Sequence, residues 1–311
     1  MTLQEQIRSN RLRTFVVLLG FAALVAALVA AVWFAYEPGI GGFLGVAAIA
    51  YGLFAWFFAD KMVAAASGAH PVTKDQQPEL YRAVENAAIG AGLIKTPAVY
   101  LINDPAPNAF AAGRNPEHAY VAATTGLMEK LSTRELEGVM AHEIAHIRNR
   151  DVRLMSLAAV LVGVIALVAD MLMRITLFGG GRNRENNNPI TLIVGIAAMI
   201  LAPIGAALLQ MTLSRQREYL ADATAAEITG DCEGLALALA KLRDDPTPLQ
   251  NVTRATAHLY IESPLRDHKG LRSSLGGMFD THPPLDDRIA VLEKMGGFTL
   301  PASASQPATA Q

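Results

Sequence analysis

Two histidines four residues apart on a helix, His142 and His146, present both imidazoles on one face, within reach of a single metal ion. They stand in Met140-Ala141-His142-Glu143-Ile144-Ala145-His146, an H-E-x-x-H arrangement. Neutral imidazole is a good zinc ligand, and Glu143 falls where it can take a proton from a water that the metal has made acidic. A catalytic zinc asks for three protein donors and one open position, so a third donor must come from elsewhere in the chain. The pattern alone is short, and a helix with two packed or exposed histidines would also show it. Its context points to chemistry: Ser132-Thr133-Arg134-Glu135 reads as a capping box that starts a helix ten residues before His142 and puts the motif mid-helix.

The elements that must carry this site are those of a membrane protein. Across 311 residues the chain is 52% hydrophobic and 17% charged, with a mean hydropathy of +0.29, which points away from an ordinary soluble protein. A net charge of -2 and the absence of a lysine or arginine run give no footprint for nucleic acid. The single cysteine, Cys232, can form no intramolecular disulfide.

Four apolar stretches have spanning length: 14–36, 43–59, 154–178 and 190–213. The first two form a hairpin around Glu37-Pro38-Gly39, and the last two a second hairpin around the polar turn 179–189. Arg8, Arg11 and Arg13 precede the first stretch, and ten lysines and arginines lie between 60 and 153. This balance places the N-terminus and the regions after each hairpin in the cytoplasm. The chain thus divides into an N-terminal hairpin (1–60), a cytoplasmic part carrying the motif (61–153), the second hairpin (154–213), a second cytoplasmic part (214–300) and a low-complexity tail expected to be disordered (301–311). Whether 154–213 crosses fully or shields the site is left open.

Because two crossings return the chain to the side it left, the second hairpin delivers Ser214-Arg215-Gln216-Arg217-Glu218-Tyr219-Leu220-Ala221-Asp222 to the motif. Glu218 on a facing helix is the candidate third donor. Asp222, one turn on, can accept a hydrogen bond from the outer nitrogen of a ligand histidine. In the first cytoplasmic part a helix carries Leu80, Val84, Ala87 and Ala91 on one side, and β-like runs follow at 98–102 and 119–124. Between those runs Asn108-Ala109-Phe110-Ala111-Ala112 could be a sheet edge that aligns an extended peptide, or equally an ordinary hairpin strand. A further helix is expected over Asp231–Arg243 with Leu235, Leu239 and Leu242 inward, and an amphipathic one after Pro283-Pro284.

Taken together, these segments resemble the HtpX-like membrane zinc metalloproteases, relatives of the CAAX prenyl protease. The resemblance is carried by 107–114, by Thr125-Gly126-Leu127 with Glu135-Leu136 and His142 to Asp151, by 214–222, and by Thr281-His282-Pro283-Pro284 with Arg288-Ile289. It implies an α-helical membrane protein with an α+β gluzincin-type domain, four transmembrane helices and a small β-sheet. It further implies one Zn2+ per subunit on His142, His146 and Glu218, and Glu143 as general base. His282 is implied to stabilise the oxyanion or, alternatively, to hold a turn. Asn149 and Asp151 match the family's continuation and are expected to cap or hydrogen-bond the end of the motif helix. The longer H-E-x-x-H-x-x-G-x-x-H class is excluded by Asn149 and Val152, and the CAAX protease has more spans than are counted here. The implied role is proteolytic quality control of unfolded or damaged membrane proteins, at the cytoplasmic face of a bacterial inner membrane. A processing peptidase with one substrate and a scaffold with a structural zinc remain the competing readings, and the sequence leaves the oligomeric state open.

Overall fold

The computed structural model describes residues 38–161, 215–250, 259–261 and 283–301, with isolated positions at 12, 15, 16, 19, 20, 22, 23, 26 and 256. Most of the expected crossings 14–36 and 154–178, all of 190–213, His282 and the tail from 302 lie outside these residues. Helix α1 (Pro38–Ser67) is 30 residues long. It contains the expected crossing 43–59, where part of the side chains fall outside the described set. It runs on past Asp60-Lys61, the expected boundary of the hairpin, because Ala59, Val63 and Ala64 continue an apolar stripe that packs under the sheet. Among the described residues no helix is long and apolar enough to cross a membrane.

The sheet has four strands, β1 (His70–Pro71), β2 (Ala98–Ile102), β3 (Ala109–Gly113) and β4 (Ala119–Thr124), in the order β1-β2-β4-β3. β2 and β4 are parallel and the outer pairs antiparallel, which makes β3 an edge strand. Period-two alternation sorts the side chains. Val99, Leu101, Ala109, Ala111, Val121 and Ala123 face the main core, while Ile102, Phe110, Ala112, Tyr120 and Ala122 face α1. On the α1 side, Phe110 meets Tyr120 and Tyr260 edge-on, with ring centroids 6.0 and 5.1 Å apart. The alanines on the other face keep the sheet surface low, so a helix can lie close against it.

That helix belongs to the series α2 (Pro78–Gly90), α3 (Thr125–Lys130), α4 (Thr133–Arg148), α5 (151–161), α6 (Arg215–Thr229), α7 (Cys232–Asp244) and α8 (Leu285–Gly296). In α2, Leu80, Val84 and Ala87 are buried as their spacing predicts, and Ala91 caps the end. Around α4 pack α2, α6, α7 and the sheet. Its start is the capping box: Ser132 N–H donates to Glu135 Oε2 at 2.7 Å, and Lys241 of α7 adds its ammonium to the same oxygen at 2.7 Å. From Leu136 to Ile147 nearly every side chain of α4 is buried. α7 crosses so close that a Cβ on Gly138 would lie 2.8 Å from Leu235 N, so only glycine fits there without moving a helix.

Candidate active site

One face of α4 carries His142, Glu143 and His146, all less than 5% exposed. Their Nε2 pair is 3.2 Å apart and the rings are perpendicular. α6 lays Glu218 across from them, with Oε2 3.7 Å from His142 Nε2 and Oε1 3.7 Å from His146 Nε2. The donor atoms of the three residues all lie within 4.8 Å of one another.

Each outer nitrogen meets a carboxylate. Asp222, one turn beyond Glu218 on α6, sets Oδ1 2.9 Å from His142 Nδ1, and Asp151 sets Oδ2 3.0 Å from His146 Nδ1. With the Nδ1 protons donated outward, both Nε2 atoms face inward, and these partners set the tautomer of the neutral ring that would bind a metal. The backbone behind Asp151 explains how it reaches back. Asn149 is the C-cap of α4, and Arg150 follows in the left-handed region at φ 61°. This reverses the chain sharply enough for Asp151 to open α5 and still face His146.

The donor set suits a metal ion. The two Nε2 atoms are 3.2 Å apart, close to the spacing of about 3.3–3.5 Å between nitrogen donors on a tetrahedral ion, and each lies 3.7 Å from a different oxygen of the Glu218 carboxylate, so that with one donor atom from each residue the set stays within 4.8 Å. Three protein donors leave one coordination position for water or substrate.

Electrostatics are shaped by burial and by one arginine. Burial and Arg288 oppose a charge on His142, but its bonds to Asp222 and Glu218 outweigh them and lift its pKa to about 9. Burial raises Glu143, against the pull of His142 and His146 and with a push from Glu218. Burial would also raise Asp222, yet the Arg288 guanidinium and His142 hold it below the usual carboxylate range. Arg288, on α8, is fully buried and grips Asp222 with two bonds, Nε to Oδ2 at 2.8 Å and Nη2 to Oδ1 at 2.6 Å. In the sequence it stood out only as part of a matching segment. Its one local signal is a charge on the inward stripe shared with Ile289 and Leu292.

The strand expected to meet substrate, Asn108 to Ala112, lies at the sheet edge beside α4 and is buried throughout. Asn108 C=O accepts from Thr124 N–H, so by alternation Ala109, Ala111 and Gly113 turn their backbone groups outward. Ala109 N–H is taken by Asn108 Oδ1, Ala109 C=O by the N–H of Ile261, and Gly113 N–H by Ser156 Oγ. Among the described residues, nothing meets the outward N–H and C=O of Ala111.

A helix-borne histidine pair, a carboxylate from a second helix and an adjacent buried glutamate define the class: this is a metallopeptidase. The model of peptidase family M48 matches residues 74–296, and the chain belongs to that family. Curated relatives agree. A protease HtpX homolog of Ligilactobacillus salivarius is 42% identical over 306 residues, covering 94% of this chain and 100% of the relative. The Listeria monocytogenes and Tropheryma whipplei proteins of the same name are 43% and 40% identical, over 94% and 93% of this chain and 99% and 97% of their own. Among solved structures, Ste24p of S. mikatae is similar at 17% identity and a TM-score of 0.49, over 93% of this chain and 66% of that one.

Proposed function

We propose that this chain is a membrane-bound zinc endopeptidase that cuts unfolded or damaged membrane proteins at the cytoplasmic face. The observation that carries the catalytic part is the convergence of His142 Nε2, His146 Nε2 and the Glu218 carboxylate, whose donor atoms lie within 4.8 Å of one another, beside the buried Glu143. Two nitrogens, one carboxylate oxygen and an open position favour zinc in a catalytic rather than a structural role, since structural sites close with four ligands and favour cysteine. Zinc, when bound, polarises the scissile carbonyl and makes a water acidic near neutral pH. The chain's own residues do the rest. Asp222 and Asp151 keep the Nε2 atoms of His142 and His146 turned inward. Glu143 accepts the proton of the attacking water and hands it to the leaving amine. Burial raises its pKa, which brings the carboxylate nearer the range where it can both accept and donate. An extended peptide pairs with the outward N–H and C=O of Ala111, so backbone bonds supply affinity and the sequence requirement is broad. His282 is the proposed oxyanion partner.

Support for the membrane comes from α1, where Val46, Ile49, Leu53 and Phe57 lie on one face and are 52–69% exposed. An apolar face of that extent suits a lipid or protein surface. The cytoplasmic orientation rests on the arginines at the N-terminus, and the quality-control role on the family resemblance. The experiment is cleavage of an unfolded model protein by detergent-purified wild type and Glu143→Gln, with zinc content measured on both. Cleavage by wild type alone at equal zinc is the expected result. Equal cleavage by both removes Glu143 from the mechanism, and zinc-loaded wild type that cuts nothing favours a specialised substrate or a scaffold.

A further inference from the structure

Arg288 is the bulkiest side chain buried in full among the described residues, at 0% exposure. A buried cation is tolerated only where its donors are engaged. The guanidinium spreads its bonds in two directions. Toward α6 and α4, Nε and Nη2 hold the Asp222 carboxylate at 2.8 and 2.6 Å, and Nη2 also lies 3.3 Å from His142 Nδ1. Asp222 in turn holds His142. Toward the sheet, Nη1 donates to the carbonyl of Ile261 at 3.2 Å while lying 3.8 Å from Glu218 Oε2, and the N–H of Ile261 donates to Ala109 C=O on β3 at 3.0 Å. One planar fork therefore touches two chains of hydrogen bonds, one ending on a proposed metal donor and the other on the edge strand.

We infer that Arg288 is a positioning residue that sets the distance between the metal-binding residues and strand β3, so that a peptide paired with the strand presents its scissile bond at the metal. The inference rests on the function proposed above. A guanidinium suits the task because its donors are fixed in one plane at set angles, whereas an ammonium is a point charge on a flexible stem and cannot hold a carboxylate and a carbonyl in a fixed relation. The geometry matters to rate, since a misplacement of about 1 Å between reacting groups costs on the order of 100-fold. Because Arg288 comes from α8, the site needs a third segment of chain beyond the two that supply its donors.

The test uses the full-length protein in detergent and compares wild type, Arg288→Lys, Asp222→Asn and Ile261→Pro. Zinc affinity is read by competition with a chelator, kcat and KM on an unfolded model protein at saturating zinc, and folding by thermal unfolding. Arg288→Lys keeps a cation beside Asp222 and gives up the fork, so zinc affinity stays within a few-fold while kcat/KM falls about tenfold or more. Asp222→Asn does the reverse: zinc affinity falls roughly 10–100-fold, with a smaller loss of kcat/KM once zinc is saturating. Ile261→Pro removes the N–H that meets Ala109, together with a buried isoleucine side chain, and it reproduces the Arg288→Lys pattern. It also keeps the inference testable if Arg288→Lys fails to fold. Wild-type kcat/KM in Arg288→Lys or Ile261→Pro overturns the inference. So does a parallel fall of zinc affinity, kcat/KM and melting temperature in all three variants, which is what a merely structural arginine would give. A wild-type protein that takes up no zinc overturns the proposed function instead.

Discussion

Asp222→Asn keeps the shape of the side chain and removes its charge, and the geometry of the site sets what that costs in stability. In the native protein this carboxylate is the bidentate partner of a guanidinium that is 0% exposed. Asparagine can still accept one bond, but it leaves the Arg288 charge buried without a counter-charge on Asp222. Removing one partner of a buried ion pair costs about 3–5 kcal/mol, a large part of the roughly 5–15 kcal/mol that holds a domain together. At roughly 2–4 °C per kcal/mol for a chain of this size, that is a drop in melting temperature of about 6–20 °C. The assay is thermal and urea unfolding in detergent with a chelator present, so that metal binding does not enter. The sign with pH follows from the depressed pKa of Asp222. Its contribution is present above the unfolded carboxylate value, about 4, and is lost as pH falls through the lower folded value. The gap between wild type and variant is therefore full at pH 7 and closes in stronger acid. The double variant Asp222→Asn with Arg288→Met carries no stranded charge and recovers much of the loss. If the double variant is as unstable as the sum of the two single changes, the pairing argument is wrong.

Gly138→Ala drives a methyl against the backbone of Leu235, 2.8 Å from its nitrogen, and should destabilise by about 1–3 kcal/mol, read as a shifted urea midpoint with unchanged slope. Metal uptake must displace a proton held on His142 up to about pH 9. Apparent zinc affinity should then rise about tenfold per pH unit in the neutral range and level off above that value; a flat profile from pH 6 to 8 would remove the proton from His142. Ala111→Pro deletes an outward N–H at a sheet edge, where proline is tolerated. Zinc content should be unchanged while KM for an unfolded protein rises about tenfold or more, and unchanged KM would take β3 out of substrate binding.

The site was legible in the sequence wherever its parts are close along the chain. His142, Glu143 and His146 follow from helical spacing, and the helix itself from the Ser132 and Glu135 cap. Glu218 and Asp222 share a face at i and i+4, so placing one places the other. Arg288 was not legible as a site residue, because its meaning lies in contacts with Asp222 and Ile261, 66 and 27 residues away. Strand β1 has two residues, too few for any period to show. The extension of α1 to Ser67 was hidden by Asp60-Lys61, a charged pair that marks a membrane boundary by composition, while Ala59, Val63 and Ala64 carry the helix past it. Strand order was also out of reach: β3 lies between β2 and β4 in sequence but outside β4 in the sheet, and alternation alone does not reveal which strands are neighbours.

The spread of the site along the chain also has a meaning in time. His142 and His146 leave the ribosome first, Glu218 and Asp222 later, and Arg288 near the end. At about 5–20 residues per second, the roughly 140 residues between His146 and Arg288 take about 7–30 s to make. During that interval the nascent chain holds first two and then, once Glu218 is made, all three of the proposed donors, with no Arg288 to orient them. If Arg288 positions the site as inferred, the nascent protease reaches its working geometry only once α8 has been made.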